Sequence, residues 1–214
     1  VRKYALLACL LAVAALLWAA PSASAATPVE TGNWTTDSPD FDVQQCAGGR
    51  VEGLTFTLPA GQTFDACGNS APRAERRYRD YAGGGRNYSD GVRQFAGTFT
   101  INSMGGTRIS LKQTFNGDAG PYFLLAVDRT GRLYSVRGGT TIATDVAKVG
   151  TPVRINTVHD VAAHRFRVYV DGNLAYTDNN APGGEFYDKF GAYQTSSGSG
   201  DIGVTWSDIH FWHR

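Results

Sequence analysis

Two short stretches of this chain concentrate the side chains able to do chemistry. The run Pro72-Arg73-Ala74-Glu75-Arg76-Arg77-Tyr78-Arg79-Asp80-Tyr81 is the densest in charge. As an extended strand it puts Arg73, Glu75, Arg77 and Arg79 on one face by period-two alternation, so several guanidiniums converge on one strip. Such a strip suits an anion; the plainer alternative is a solvated face on which Glu75 pairs with its arginines. The run Phe186-Tyr187-Asp188-Lys189-Phe190-Gly191-Ala192-Tyr193-Gln194 is the second. Alternation there places Tyr187, Lys189, Gly191 and Tyr193 on one face and Phe190 and Ala192 on the other. Two phenols and an ammonium would then line a groove over a glycine gap. Lysine beside a phenol favours the phenolate, which suits proton transfer, although structural tyrosines would give the same pattern.

Strands must position both stretches. The 214 residues hold 26 glycines with 12% aromatic content, and Thr, Val, Tyr and Phe outweigh Glu and Lys. That composition favours short strands joined by tight turns and excludes a disordered tail, a coiled coil and a collagen-like repeat. About eleven alternating runs follow one another, punctuated by Gly83-Gly84-Gly85, Gly105-Gly106, Asn116-Gly117, Gly138-Gly139 and Pro182-Gly183-Gly184. With no long segment of helical period, this predicts an all-β, two-sheet antiparallel sandwich. The clearest hairpin runs from Arg165 to Leu174, with Phe166, Val168 and Val170 facing inward, Arg165, Arg167 and Tyr169 outward, and Asp171-Gly172 as its turn. Such Val-Tyr-Val-Asp-Gly hairpins resemble those of concanavalin A-like jelly rolls.

Residues 1–25 read as a secretory signal: Arg2 and Lys3 precede an apolar run from Ala5 to Ala20, and Ser22-Ala23-Ser24-Ala25 ends it with a small-residue cleavage pattern. The run is short for a membrane span and lacks a stop-transfer cluster, so no membrane is expected after signal removal. A single domain over 26–214 is expected, its residues 26–45 an irregular leader. Removing the signal leaves 18 basic against 19 acidic residues, a balance of −1 instead of +1. Near neutrality, secretion and the lack of a broad basic surface argue against nucleic acid. Cys46 and Cys67 remain as an even pair for an oxidising compartment, which predicts a disulfide. The histidines at 159, 164, 210 and 213 have no ligand spacing with them, so no metal site is expected. Asp178-Asn179-Asn180 reads as a turn, with a loop calcium site as its alternative.

Taken together, Pro72-Arg73-Ala74-Glu75-Arg76-Arg77 resembles the Arg-Ser/Thr-Glu-Leu-Arg motif, and Tyr187 to Tyr193 the Tyr-Phe-Lys-Ala-Gly-x-Tyr motif, of the alginate lyases of polysaccharide lyase family 7. The glucuronan lyases of family 20 are similar to a comparable degree. The resemblance spans roughly residues 50–212 and implies a jelly roll and an acidic polysaccharide partner cleaved by β-elimination without a cofactor; a secreted monomer is expected. By position it implies that Arg77 and Gln113 neutralise the sugar carboxylate with Arg73 nearby, and that Glu75 orients the arginines. Lys189 would tune the phenol and Tyr193 would donate the proton, with Tyr187 and Arg79 completing the substrate surface. Donors that strengthen as an enolate forms are what make the weakly acidic C5 proton removable.

This chain departs from the family at Lys112-Gln113-Thr114-Phe115-Asn116, where Phe115 stands at the position of the family's histidine base. Either Tyr193 acts as both base and acid, or a base comes from His159, His164 or His210, or the groove binds carbohydrate without cleaving it. His164 shares the face of Phe166 and Val168 and reads as a core residue. A glycoside hydrolase would need two opposed carboxylates, and Glu75 among arginines would be held at a low pKa. Alternation over Arg108–Asn116 groups Gln113 with Ile109, Leu111 and Phe115. That sends Gln113 to the core and leaves Lys112 and Asn116 facing the groove, unless a bulge switches the face.

Overall fold

Alternating apolar positions turn these runs into strands of two antiparallel sheets packed face to face. The computed structural model describes residues 26–68, 70–79, 87–196 and 198–214. The expected signal, residues 1–25, lies outside the described residues, as do Asp80, Tyr81, the Gly83-Gly84-Gly85 turn and Arg86. The first sheet orders β13 (Asn173–Asp178), β12 (Arg165–Val170), β11 (Pro152–Asp160), β6 (Val92–Met104), β15 (Ile202–His213), β4 (Thr55–Leu58) and β3 (Arg50–Glu52), and β1 (Thr35–Asp37) also pairs with β15. The second orders β10 (Thr141–Ala143), β9 (Leu133–Ser135), β8 (Gly120–Asp128), β7 (Arg108–Asn116), β14 (Phe186–Tyr193), β5 (Arg73–Arg79) and β2 (Asp40–Cys46). This is the expected jelly-roll sandwich. Among the described residues no helix is long and apolar enough to cross a membrane.

The hairpin of β12 and β13 forms as its alternation requires: Phe166, Val168 and Val170 are buried, and Asp171 and Gly172 both adopt positive φ. The leader is more ordered than its polar composition suggests, since it supplies β1 and β2, the latter an edge strand in register with β5. Cys46, at the end of β2, is joined to Cys67 with 5.9 Å between Cα atoms, which closes the loop leading into β5. Closing a loop of that length contributes about 3 kcal/mol in the chain-entropy picture.

Aromatic side chains from both sheets fill the core. Phe190 of β14 packs 5.1 Å from Trp206, 5.6 Å from Phe56 and 5.8 Å from Phe95, centroid to centroid. Each such ring removed from water contributes roughly 1.5–3 kcal/mol. Phe190 and Ala192 therefore anchor β14 from below and commit its odd-numbered residues to the outer face.

Candidate functional site on the outer face of the second sheet

Strand pairing brings the two chemistry-rich stretches side by side. On β5 and β14, Arg77 pairs with Lys189, Glu75 with Gly191 and Arg73 with Tyr193. On the other side of β14, Lys189 pairs with Gln113, Tyr187 with Phe115 and Tyr193 with Ser110. Residues directly opposite one another share a face. Arg77, Lys189 and Gln113 thus form one cross-strand row, flanked by Arg73 and Tyr193 on one side and by Tyr187 and Phe115 on the other.

Gln113 and Lys112 exchange the places that simple alternation gives them. A bulge between Ser110 and Lys112 in the β7–β8 ladder makes Leu111 the extra residue. Ile109 and Leu111 stay in the core, Lys112 joins them, and Gln113 turns outward beside Lys189. Lys112, 0% exposed, lies between the sheets and donates at 2.5 Å to Asp188 and at 2.6 Å to Thr114. Burial lowers its pKa while Asp188 counters that shift. Lys112 is an interior ion-pair partner and not a groove residue.

Glu75 also departs from its expected role. Its Oε1 accepts from Gln113 Nε2 at 2.5 Å, a bond that passes over β14 where Gly191 carries no side chain. The carboxyl is 1% exposed, and its Oε2 has no partner among the described residues. Burial raises its pKa, against the opposing pull of Lys189, Arg73 and the Gln113 bond. Glu75 is therefore a clamp for the Gln113 amide, and its carboxyl sits above the ordinary range and not below it. Gly191, at φ 139°, is required here: a Cβ would collide with the Ala74 carbonyl oxygen and stand 2.7 Å from the Phe56 ring.

The cations are held by aromatic rings and one further carboxylate. Lys189 Nζ lies 4.7 Å from the Phe115 centroid, and Phe115 stacks on Tyr187 at 5.0 Å. Burial lowers the Lys189 pKa; Glu75 counters this, while Arg73 and Arg77 add to it. Burial likewise raises the Tyr187 pKa despite Arg77 beside it, so Tyr187 stays a phenol and is not the tuned phenolate that a neighbouring lysine suggests. Arg73 places its guanidinium 5.1 Å over the Tyr193 ring and donates to Ser70. Arg77 and Arg79 each donate at 3.1 Å to Asp42 of β2, with Arg79 at the exposed rim. Arg77 Nε is buried with no partner among the described residues.

Three solved structures share this arrangement of strands. An alginate lyase from Pseudomonas aeruginosa is 21% identical with a TM-score of 0.55, over 67% of this chain and 75% of that one. One from Corynebacterium sp. is 22% identical with a TM-score of 0.56, over 69% and 71%. A marine family 7 alginate lyase from Zobellia galactanivorans is 14% identical with a TM-score of 0.58, over 85% and 95%. The fold is that of known alginate lyases. No family model matches the sequence, and no curated protein matches it.

The histidines are placed elsewhere. His159 is the core histidine: it is 2% exposed, with Nδ1 at 3.2 Å from the Tyr88 hydroxyl. Burial holds its pKa down to about 4. His164 is not in the core; it turns the β11–β12 connection at φ 50° and contacts the Ala181 carbonyl. His210 stacks on Trp212 in the first sheet. Asp178 accepts from the Asn180 backbone at 2.8 Å, the signature of a turn, and also accepts from the Tyr122 hydroxyl. Sequence reasoning missed Asp42, although the alternation of Asp40, Asp42 and Gln44 against Phe41 and Val43 carries the signal.

Proposed function

We propose that this protein is a secreted polysaccharide lyase that cleaves a uronate-containing polysaccharide by β-elimination. The observation that carries the reading is the cross-strand row of Arg77, Lys189 and Gln113 next to Tyr193 and Arg73, on a fold shared with alginate lyases. The row offers fixed cationic and amide donors to one carboxylate, and the phenol stands two same-face positions further along β14, beyond Gly191. Arg77, whose guanidinium is partly exposed beside Asp42, and Gln113 neutralise the sugar carboxylate, which stabilises the enolate that forms as the C5 proton leaves. Glu75 fixes the Gln113 amide, and Arg73 holds the face of Tyr193. Lys189, Tyr187 and Arg79 complete the substrate surface.

Phe115 occupies the position of the family's histidine and offers no base, so Tyr193 performs both proton transfers. Tyr193 as phenolate takes the C5 proton, the C4–C5 double bond forms, and the C4–O4 bond breaks. The phenol then returns the proton to O4. A single group can do this only when the C5 proton and O4 lie on the same ring face, as in β-D-mannuronate and β-D-glucuronate. Polymers of those two uronates are the substrates of this reading, and those of α-L-guluronate are not. Incubation with each polymer while following the ultraviolet absorbance of unsaturated uronate ends tests it. Absorbance on neither, with binding retained, favours a carbohydrate-binding protein.

A further inference from the structure

The arginines of β5 cover only one side of Tyr193, and a second pair of guanidiniums lies on the other. A cavity of about 330 Å³ opens beside Tyr193, with Leu124 and Pro121 among its lining residues, Phe64 from the disulfide-closed loop, and Arg108 and Arg137. Arg108 begins β7 with its side chain held: it donates to Thr195 Oγ1 at 3.1 Å, and its guanidinium lies 5.9 Å from the Tyr134 ring. Arg137 is exposed, but its backbone is pinned over β8. Val136 N–H donates to the Leu124 carbonyl at 2.9 Å, Ser135 Oγ donates to the Arg137 carbonyl at 2.9 Å, and Gly138 and Gly139 turn the chain away at positive φ. Leu124 is in register with Gln113. Val136, and Arg137 next to it, therefore stand about two strand spacings, roughly 10 Å, from Gln113 at the near end of the row that takes the first carboxylate, a span that linked pyranoses bridge.

We infer that Arg108 and Arg137 form a second carboxylate subsite, so that the cleft reads two uronates of one chain on opposite sides of Tyr193. This rests on the lyase reading of the first site. Arg108 is the fixed member; Arg137, on its turn, closes onto the ligand. A charge-assisted bond to a carboxylate is strong enough to set preference between a contiguous polyuronate and a polymer in which uronates alternate with neutral sugars.

The test compares wild type with Arg137→Ala and Arg137→Lys on polymannuronate and polyglucuronate. Exposure of Arg137 means the variants should fold, which circular dichroism checks. The inference predicts that Arg137→Ala raises KM roughly 10- to 100-fold with kcat within about threefold, and that Arg137→Lys recovers part of the loss. An unchanged KM, or a fall in kcat at constant KM, overturns it. If wild type turns over neither polymer, the lyase reading fails separately, and calorimetric binding of oligomannuronate decides the subsite. Weakening of tenfold or more in Arg137→Ala supports it, and equal affinity overturns it.

Discussion

Gln113 and Glu75 share a 2.5 Å hydrogen bond although the strand carrying Lys189 runs between them. The bond ties β7 to β5 across β14 and fixes the amide proposed to meet the substrate carboxylate. It also buries an acid whose ionised form is disfavoured there, because burial outweighs Lys189, Arg73 and the Gln113 bond.

Glu75→Gln tests that clamp. The folded-state pKa of Glu75 is raised, so its contribution to stability is present at low pH and is lost as pH rises through the folded value. The variant lacks that loss. Denaturation midpoints should therefore diverge with rising pH, the variant gaining relative to wild type towards neutrality, while its turnover falls because the carboxyl that holds the Gln113 amide is gone. Parallel stability curves would show that Glu75 is not under strain.

Gly191→Ala should destabilise the fold by more than about 1 kcal/mol, because φ 139° is hostile to a side chain and the new Cβ meets the Ala74 carbonyl. Urea titration reads the loss. A variant as stable as wild type would mean that β14 can shift away from β5.

Phe115→His supplies a base where the ring of Phe115 now lies 4.7 Å from Lys189 Nζ. The adjacent cation favours the neutral imidazole, the form that accepts a proton. The variant should gain cleavage of polyguluronate, in which the C5 proton and O4 lie on opposite faces. Unsaturated products from that polymer, absent with wild type, are the expected readout.

His159 gives the protein an acid-sensitive core. Its folded pKa of about 4 lies below the ordinary value of 6.5, mainly through burial, with Lys112 and His164 adding to the shift and Asp188 and Asp160 opposing it. Its contribution is complete above about 6.5 and is lost as pH falls towards 4, on the order of 3 kcal/mol in all. His159→Gln should flatten the stability profile over that window, measured by denaturant unfolding at stepped pH.

The faces of β5 and β14 were legible because each alternates without interruption and Phe190 and Ala192 leave no doubt about which side is core. The face of β7 was not: the bulge at Leu111 exchanges Lys112 and Gln113, and nothing local distinguishes a bulged Leu from a paired one. Glu75 looked like an arginine partner because its sequence neighbours are arginines, yet its hydrogen-bond partner lies 38 residues away on a strand two positions across the sheet. The reading of His164 failed for a similar reason. The turn over 161–164 ends one residue before β12, so the residue that looks in phase with Phe166 never enters the strand.

Tyr193→Phe removes the one hydroxyl to which both proton transfers are assigned. Wild type incubated with polymannuronate or polyglucuronate should generate the ultraviolet absorbance of unsaturated uronate ends. Tyr193→Phe, folded and still able to bind the polymer, should lose at least about a hundredfold in kcat. A Tyr193→Phe protein that releases unsaturated ends at near wild-type rate would exclude Tyr193 as the proton-transfer group.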